Sequence, residues 1–126
     1  MLKVSIIGAA GYTGGELLRL LLQHPHVGEV EAVSSSQHGQ SIWKVHPDLF
    51  GSHLVFKEEP SDADIWFLAL PHGASRSFLE KHAAHLPSKI IDLSRDFRLK
   101  EHKDWSDKNF VYGLSEWNKS DIQKCA

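Results

Sequence analysis

Val4-Ser5-Ile6-Ile7 is an apolar run broken only by Ser5, and it leads through Gly8-Ala9-Ala10-Gly11-Tyr12-Thr13-Gly14 into Gly15-Glu16-Leu17-Leu18. A buried strand that turns through three evenly spaced glycines straight into a leucine-faced helix leaves few folds open. Gly8 permits the tight turn, Gly11 lets backbone approach a ligand with no Cβ in the way, and Gly14 lets the helix pack closely on the sheet. The first turn of such a helix offers free N–H groups and the positive end of its dipole to an anion. The segment therefore predicts a turn that holds a pyrophosphate, in a Gly-x-x-Gly-x-x-Gly variant of the commoner Gly-x-Gly-x-x-Gly spacing. The competing reading is a glycine-rich turn that binds nothing.

The rest of the chain repeats the alternation. Leu2 to Ile7 reads as a first strand, buried on both faces as in a parallel sheet. Leu17, Leu18, Leu21 and Leu22 recur at helical spacing, and His24-Pro25 ends that helix. Glu29 to Ser34 is a second strand, which closes a strand-helix-strand unit. Gln37 to Gly51 reads as loop with one short helix, and Leu54 to Lys57 as a brief strand. Asp64 to Leu70 is the clearest strand; it runs into Pro71-His72-Gly73 and a helix over Ala74 to His85. Lys89 to Leu93 adds a strand, and Asn118 to Ala126 reads as a helix capped by Asn118 or Ser120. This order predicts one α/β domain over residues 1–126, a doubly wound, mostly parallel Rossmann-type sheet whose ligand crevice lies at the carboxyl ends of the strands.

Charge and composition exclude several function classes. Fourteen basic residues face sixteen acidic ones, so no basic surface for nucleic acid or an anionic membrane is expected. No stretch approaches a membrane span, and the chain opens directly on a strand, which points to the cytoplasm. There are nine histidines but a single cysteine, Cys125, too few for a disulfide framework or a cysteine-rich zinc site. His82 and His85 share a face if the helix reaches them, as a metal pair or as a plain solvated surface; no metal site is expected.

The end of the second strand bears on which dinucleotide is bound. An acidic side chain there accepts from a ribose 2′-hydroxyl and repels a 2′-phosphate. The sequence reads Val33-Ser34-Ser35-Ser36-Gln37, with hydroxyls and an amide that can donate to phosphate oxygens, which favours NADP over NAD. No arginine stands beside them, leaving Lys44 or another distant cation to supply charge. A serine-rich turn remains the alternative.

Three further motifs fall where the crevice should lie: Leu68-Ala69-Leu70-Pro71-His72-Gly73, Asp92-Leu93-Ser94-Arg95-Asp96-Phe97-Arg98 and Val111-Tyr112-Gly113-Leu114-Ser115-Glu116. Together with the glycine turn, and in this order, they closely resemble the N-acetyl-γ-glutamyl-phosphate reductases over nearly the whole chain. The resemblance implies a two-domain NADP-dependent enzyme of arginine biosynthesis, related to aspartate-semialdehyde dehydrogenase. Such an enzyme reduces an acyl phosphate to a semialdehyde through a thioacyl intermediate. It assigns the pyrophosphate to Gly8, Ala10, Gly11, Tyr12, Thr13 and Gly14, the adenosine ribose with its phosphate to Ser34, Ser35 and Ser36, and the nicotinamide side to Leu70, Pro71, His72 and Gly73. His72 would donate to a ribose or substrate, or else bond within its turn. Ser94, Arg95 and Arg98 would meet the substrate, since the planar guanidinium fork suits carboxylate and phosphate; ion pairing of Arg95, Asp96 and Arg98 within the loop is the alternative. Ser115 stands where the family usually has proline, which removes a rigid turn element.

Thioacyl chemistry needs a low-pKa cysteine beside the nicotinamide. The family carries it in an Asn-Pro-Gly-Cys segment, absent here; Cys125 follows Ile122-Gln123-Lys124 and reads as an ordinary helix residue. The family's catalytic histidine is absent as well. No catalytic residue is therefore expected in this chain, which reads as the cofactor-binding part of a larger enzyme with its catalytic domain elsewhere. Loss of that partner domain would bare an apolar face, so a homo-oligomer is expected. Two other readings stay open: an aspartate-semialdehyde dehydrogenase relative, against which the Pro-His-Gly and Asp-Leu-Ser-Arg-Asp-Phe-Arg segments argue, and a stand-alone NADP-binding module.

Overall fold

Strand β1 (Leu2–Ile7) lies at the centre of a parallel sheet in the computed structural model, which describes residues 1–98, 104–105 and 108–125. The chain continues through α1 (Tyr12–Leu21), β2 (Val27–Val33), two 3-10 turns (Ile42–Lys44 and Pro47–Leu49), β3 (Ile65–Leu68), α2 (Ala74–Lys81) and β4 (Lys89–Asp92). A two-residue antiparallel pair, β5 (Asp104–Trp105) with β6 (Lys108–Asn109), precedes α3 (Ser115–Lys124). The four strands run in the order β2-β1-β3-β4, all parallel. The chain leaves β1 toward β2 and then crosses back to β3 on its other side. The connections diverge there, and a crevice opens beyond the strand ends.

Alternation along β1 sends its side chains into two cores. Ile6, Val30 and Ala32 pack beneath Leu18 of α1 with Ile42 and Phe56. Ile7, Val33, Trp66 and Leu68 pack on the opposite face with Leu79 of α2, Phe97 and Trp105. Burial on both faces is why the second half of β1 carries adjacent apolar residues, Ile6 and Ile7, rather than alternating ones.

The predicted sheet is present, with differences in extent. β2 begins two residues earlier than expected and ends at Val33. β3 stops at Leu68, two residues before the expected end, although Ala69 N still donates to Ile7 O at 2.8 Å. The Leu54–Lys57 segment makes only isolated bridges, Lys57 with Val33 and Val55 with Ser41. Two 3-10 turns occupy the loop where one short helix was expected. α2 ends at Lys81 rather than His85, so His82 and His85 do not share a helix face; His82 caps the helix through Nδ1 to Phe78 O at 2.9 Å. α3 starts at Ser115, three residues early, with a kink at Asn118, whose amide donates to Tyr112 O at 3.0 Å. Ala126 lies outside the described residues. Ser115 is thus a first helical residue, a place where proline's missing N–H costs nothing. The helix forms there without proline. No helix among the described residues is long and apolar enough to cross a membrane.

One buried charge holds the core of the sheet. The Glu31 carboxylate, 2% exposed, faces Ser5 across the β1–β2 ladder and accepts its hydroxyl at 2.6 Å. It also pairs with Lys57 Nζ at 2.5 Å and accepts from the Ser61 N–H at 3.2 Å and the Ser61 hydroxyl. Burial pushes this carboxyl up, but Lys57, Ser5 and Ser61 outweigh it and bring it from an ordinary 4.5 down to about 2. Depression means that the stabilisation is complete above pH 4.5 and is lost as pH falls toward 2; integrated over that window it is on the order of 3 kcal/mol. Glu31→Gln should therefore unfold at markedly lower denaturant than wild type at pH 7, with the gap closing as pH approaches 2. A gap that stays constant from pH 7 to pH 3 would show that the charged form is not what the fold uses.

Candidate functional site

The turn after β1 is fastened before any ligand arrives. Gly8 N and Ala9 N both donate to Val33 O at 3.0 Å, which ties the turn to the end of β2, and Gly11 N donates back to Gly8 O at 3.3 Å. The three glycines answer to different demands. Gly8 has φ +83°, and a Cβ there would lie 2.5 Å from Ala69 O at the end of β3. A Cβ on Gly14 would lie 2.5 Å from Ala9 Cα and 2.6 Å from Gly8 O, where α1 crosses the strand end. At Gly11 the backbone is extended, φ −77° and ψ 175°, and a Cβ would have nothing closer than Gly8 O at 3.7 Å. The fold thus requires glycine at 8 and 14 but not at 11, and the bare backbone at Gly11 fits a ligand rather than a packing demand.

That backbone borders a cleft of about 650 Å³ at the carboxyl ends of three strands. Gly8, Ala10 and Gly11 line it from β1, Ser34, Ser35 and Ser36 from β2, and Ala69, Leu70 and Pro71 from β3; Glu58, Glu59, Phe78 and Lys81 close the remaining side. α1 starts at its rim with no acidic residue in the first turn, so its dipole is left to an anion from outside the chain. Ser34 is 7% exposed; its hydroxyl accepts the Gln37 N–H at 3.3 Å and lies 3.4 Å from that of Ser36. Ser34 therefore shapes the turn, while Ser35 and Ser36 are exposed. The only acid in the second half of β2, Glu31, is buried in its lysine and serine network and does not reach the cleft.

The loop after β4 braces the opposite wall. Asp92 Oδ1 accepts the Ser75 hydroxyl at 2.8 Å, and Oδ2 accepts that of Ser94 at 2.8 Å. Asp96 accepts the N–H of Gly73 at 2.6 Å and of Arg76 at 3.3 Å. It serves as the N-cap that Gly73, with no side chain and φ +90°, cannot be. Burial pushes Asp96 up, but the N–H groups of Gly73, Arg76 and Ser75 outweigh it and hold the carboxyl below its ordinary value. Arg95 N donates to His72 Nδ1 at 3.1 Å. Neutral His72 then carries its proton on Nε2, which makes it a donor on an exposed turn.

A family model described as "Semialdehyde dehydrogenase, NAD binding domain" matches residues 3–125. The chain belongs to this family. Among similar proteins, the N-acetyl-gamma-glutamyl-phosphate reductase of Christiangramia forsetii is 43% identical over 98% of this chain and 38% of its own length. That of Bacteroides thetaiotaomicron is 46% identical over 94% of this chain and 37% of its own. A Thermococcus kodakarensis protein named as a LysW-L-2-aminoadipate/LysW-L-glutamate phosphate reductase is 42% identical over 98% of this chain and 40% of its own. The chain thus spans about two fifths of the length of these relatives. Candida albicans aspartate-semialdehyde dehydrogenase, solved with NADP, superposes with a TM-score of 0.59 at 20% identity, covering 79% of this chain and 31% of that one. The likeness confirms the α/β Rossmann-like fold.

Within this semialdehyde dehydrogenase domain the residues singled out from sequence fall into three groups. Gly8, Ala10, Gly11, Ser34, Ser35, Ser36, Leu70 and Pro71 share the cleft wall. Tyr12 and Thr13 line a separate cavity of about 410 Å³ on the other side of the turn, and Gly14 is buried at the helix–strand crossing. His72 and Gly73 sit on the Asp96 brace, Ser94 is buried between Asp92 and Asp96, and Arg95 and Arg98 are exposed. Asp96, considered for ion pairing with Arg95 and Arg98 within the loop, has its carboxylate on the helix N-terminus. Cys125 is exposed at the end of α3. Sequence reasoning missed His46, Asp96 as a cap, and Lys81. The cation bordering the cleft is Lys81, held by Glu59 at 2.5 Å, and not Lys44. Only Asp96 carried a signal, an acid a few residues after a strand that faces a helix start with no cap of its own.

The contrast among the glycines is open to measurement. Gly11→Val should remain folded within about 1 kcal/mol of wild type while losing dinucleotide binding by calorimetry. Gly8→Ala should lose on the order of 1–3 kcal/mol of stability. Wild-type affinity in Gly11→Val would remove the ligand from this turn.

Proposed function

We propose that residues 1–126 are the NADP-binding part of an enzyme that reduces N-acetylglutamyl 5-phosphate to N-acetylglutamate 5-semialdehyde in the cytoplasm, as part of arginine biosynthesis. The observation that carries the reading is the cleft itself. A glycine turn with one position left bare for a ligand faces a strand end that carries Ser34, Ser35 and Ser36 and no acid of its own, with Glu58, Glu59 and the Glu59-paired Lys81 across the cleft. Bound there, the nicotinamide supplies the hydride. The chain's own groups bind and orient it: the N–H groups of Ala10, Tyr12 and Thr13 face the pyrophosphate, Ser35 and Ser36 the adenosine ribose with its phosphate, and Leu70 and Pro71 the nicotinamide side. In the same reading His72 Nε2–H, Arg95 and Arg98 meet the acyl phosphate.

The thiol that such a reduction requires lies outside residues 1–126 in this reading. The only cysteine, Cys125, ends an exposed helix, and the relatives extend well beyond the matched segment. A catalytic domain and a homo-oligomeric assembly would cover apolar side chains such as Ile91, Leu93 and Trp117, exposed here. The Thermococcus relative supports a second reading, in which the acyl phosphate is LysW-linked aminoadipate or glutamate; the cofactor site is common to both.

Two measurements test the proposal. NADPH should bind the wild-type chain more tightly than NADH, and Ser36→Asp should weaken NADPH by at least about tenfold more than NADH, because a carboxylate meets the 2′-phosphate with like charge. Equal losses would take the serine turn out of contact with the ribose phosphate. The chain alone should show no phosphate-dependent reduction of NADP with N-acetylglutamate semialdehyde. Turnover that vanishes in Cys125→Ser would overturn the placement of the nucleophile elsewhere.

A further inference from the structure

The glycine turn separates two cavities, and a single side chain fixes it from the far one. His46, between the two 3-10 turns, lines the smaller cavity with Tyr12, Thr13 and Gly15. Its Nε2 lies 2.7 Å from Ala9 O. The imidazole fills the space over α1 so closely that a Cβ on Gly15 would lie 2.7 Å from its ring. Asp48, two residues on, holds Arg19 of α1 through Nε at 2.6 Å and Nη2 at 2.5 Å, which fastens the His46 segment to the same helix.

Ala9 is fully buried and clamped at both polar groups, its N–H by Val33 O and its carbonyl by His46. A carbonyl has no proton to give, so neutral His46 carries its proton on Nε2. The peptide between Ala9 and Ala10 is planar and trans, which points its N–H opposite to its carbonyl. With Ala9 O held toward His46, the Ala10 N–H is turned away from it, toward the side on which Gly8, Ala10 and Gly11 line the cleft. We propose that His46 is a positioning residue for the cofactor: by holding Ala9 O it aims the Ala10 N–H at the pyrophosphate, without touching the cofactor itself. Without that donor the peptide loses its anchor, and an N–H that should meet a phosphate oxygen is free to rotate. The inference rests on the dinucleotide reading of the cleft and names the device that sets its phosphate geometry.

The test compares His46→Gln, which keeps an N–H donor, with His46→Leu, which keeps bulk without one, and with Leu86→Ala, which lowers stability by removing packing from the core on the opposite face of the sheet. Calorimetry with NADPH should show at least about a tenfold loss of affinity in His46→Leu and less than about threefold in His46→Gln. Leu86→Ala should bind as wild type despite its lower melting temperature. Wild-type affinity in His46→Leu, or losses in all three variants that merely follow their stability, would overturn the proposal. If His46→Leu fails to fold, nitrogen NMR of the wild-type imidazole above its titration range decides. A proton on Nε2 supports the proposal and a proton on Nδ1 refutes it. These outcomes are distinct from failure of the cofactor reading, in which wild type itself binds no NADPH while the His46 tautomer stays Nε2–H.

Discussion

The structure depends on a crossing with no side chain in it. Where α1 passes over the end of β1, Gly14 sits so close to Ala9 and Gly8 that one added carbon would lie 2.5 Å from backbone. The end of β3 approaches Gly8 equally closely from the other side. These approaches draw the helix start and three strand ends to one place, and that convergence forms the cleft. Bulkier residues would push the helix off the sheet, lengthen the turn and move the free N–H groups away from the position that an anion would occupy.

Around that crossing the polar groups are arranged to hold backbone rather than to expose charge. Glu31 binds β1, β2 and the 57–61 segment into one unit from within. Asp96 caps α2 from a loop more than twenty residues away, and Arg95 N holds His72. His46 holds Ala9 from behind the turn. Each is a connection between distant segments, and each fixes one wall of the cleft or the sheet beneath it. The loop after β4 and the turn after β3 therefore behave as one piece, so a change at Asp96 is felt at His72 and at the start of α2.

Legibility in the sequence divides along the same line. The β1-turn-α1 unit was readable because its constraints are local: apolar periodicity, glycine spacing and a leucine face lie within eighteen residues. The parallel class followed from alternation of elements. Helix and strand ends were less legible, since α2 stops where His82 turns back on Phe78 O and β3 stops at Leu68 within an unbroken apolar run. The supports of the site were least legible. His46, Lys81 and Glu31 act across gaps of twenty or more residues, and nothing in a linear pattern distinguishes a histidine that braces a turn from one in solvent. Ser34 shows the reverse. It lines the cleft with its neighbours, and its hydroxyl also accepts the Gln37 N–H and so shapes the turn, a role that serine commonly takes and that only geometry assigns.

The central claim is that a dinucleotide lies across the ends of β1, β2 and β3 with its pyrophosphate on the glycine turn. The most direct measurement is an amide nitrogen–proton NMR titration of the chain with NADPH, repeated with NADH and inorganic phosphate. The account predicts the largest saturable shifts at Ala10 to Thr13 with both dinucleotides, and additional shifts at Ser35 and Ser36 that NADPH produces and NADH does not. Saturable shifts centred on residues away from these strand ends, or an unmoved glycine turn at saturating NADPH, would contradict it.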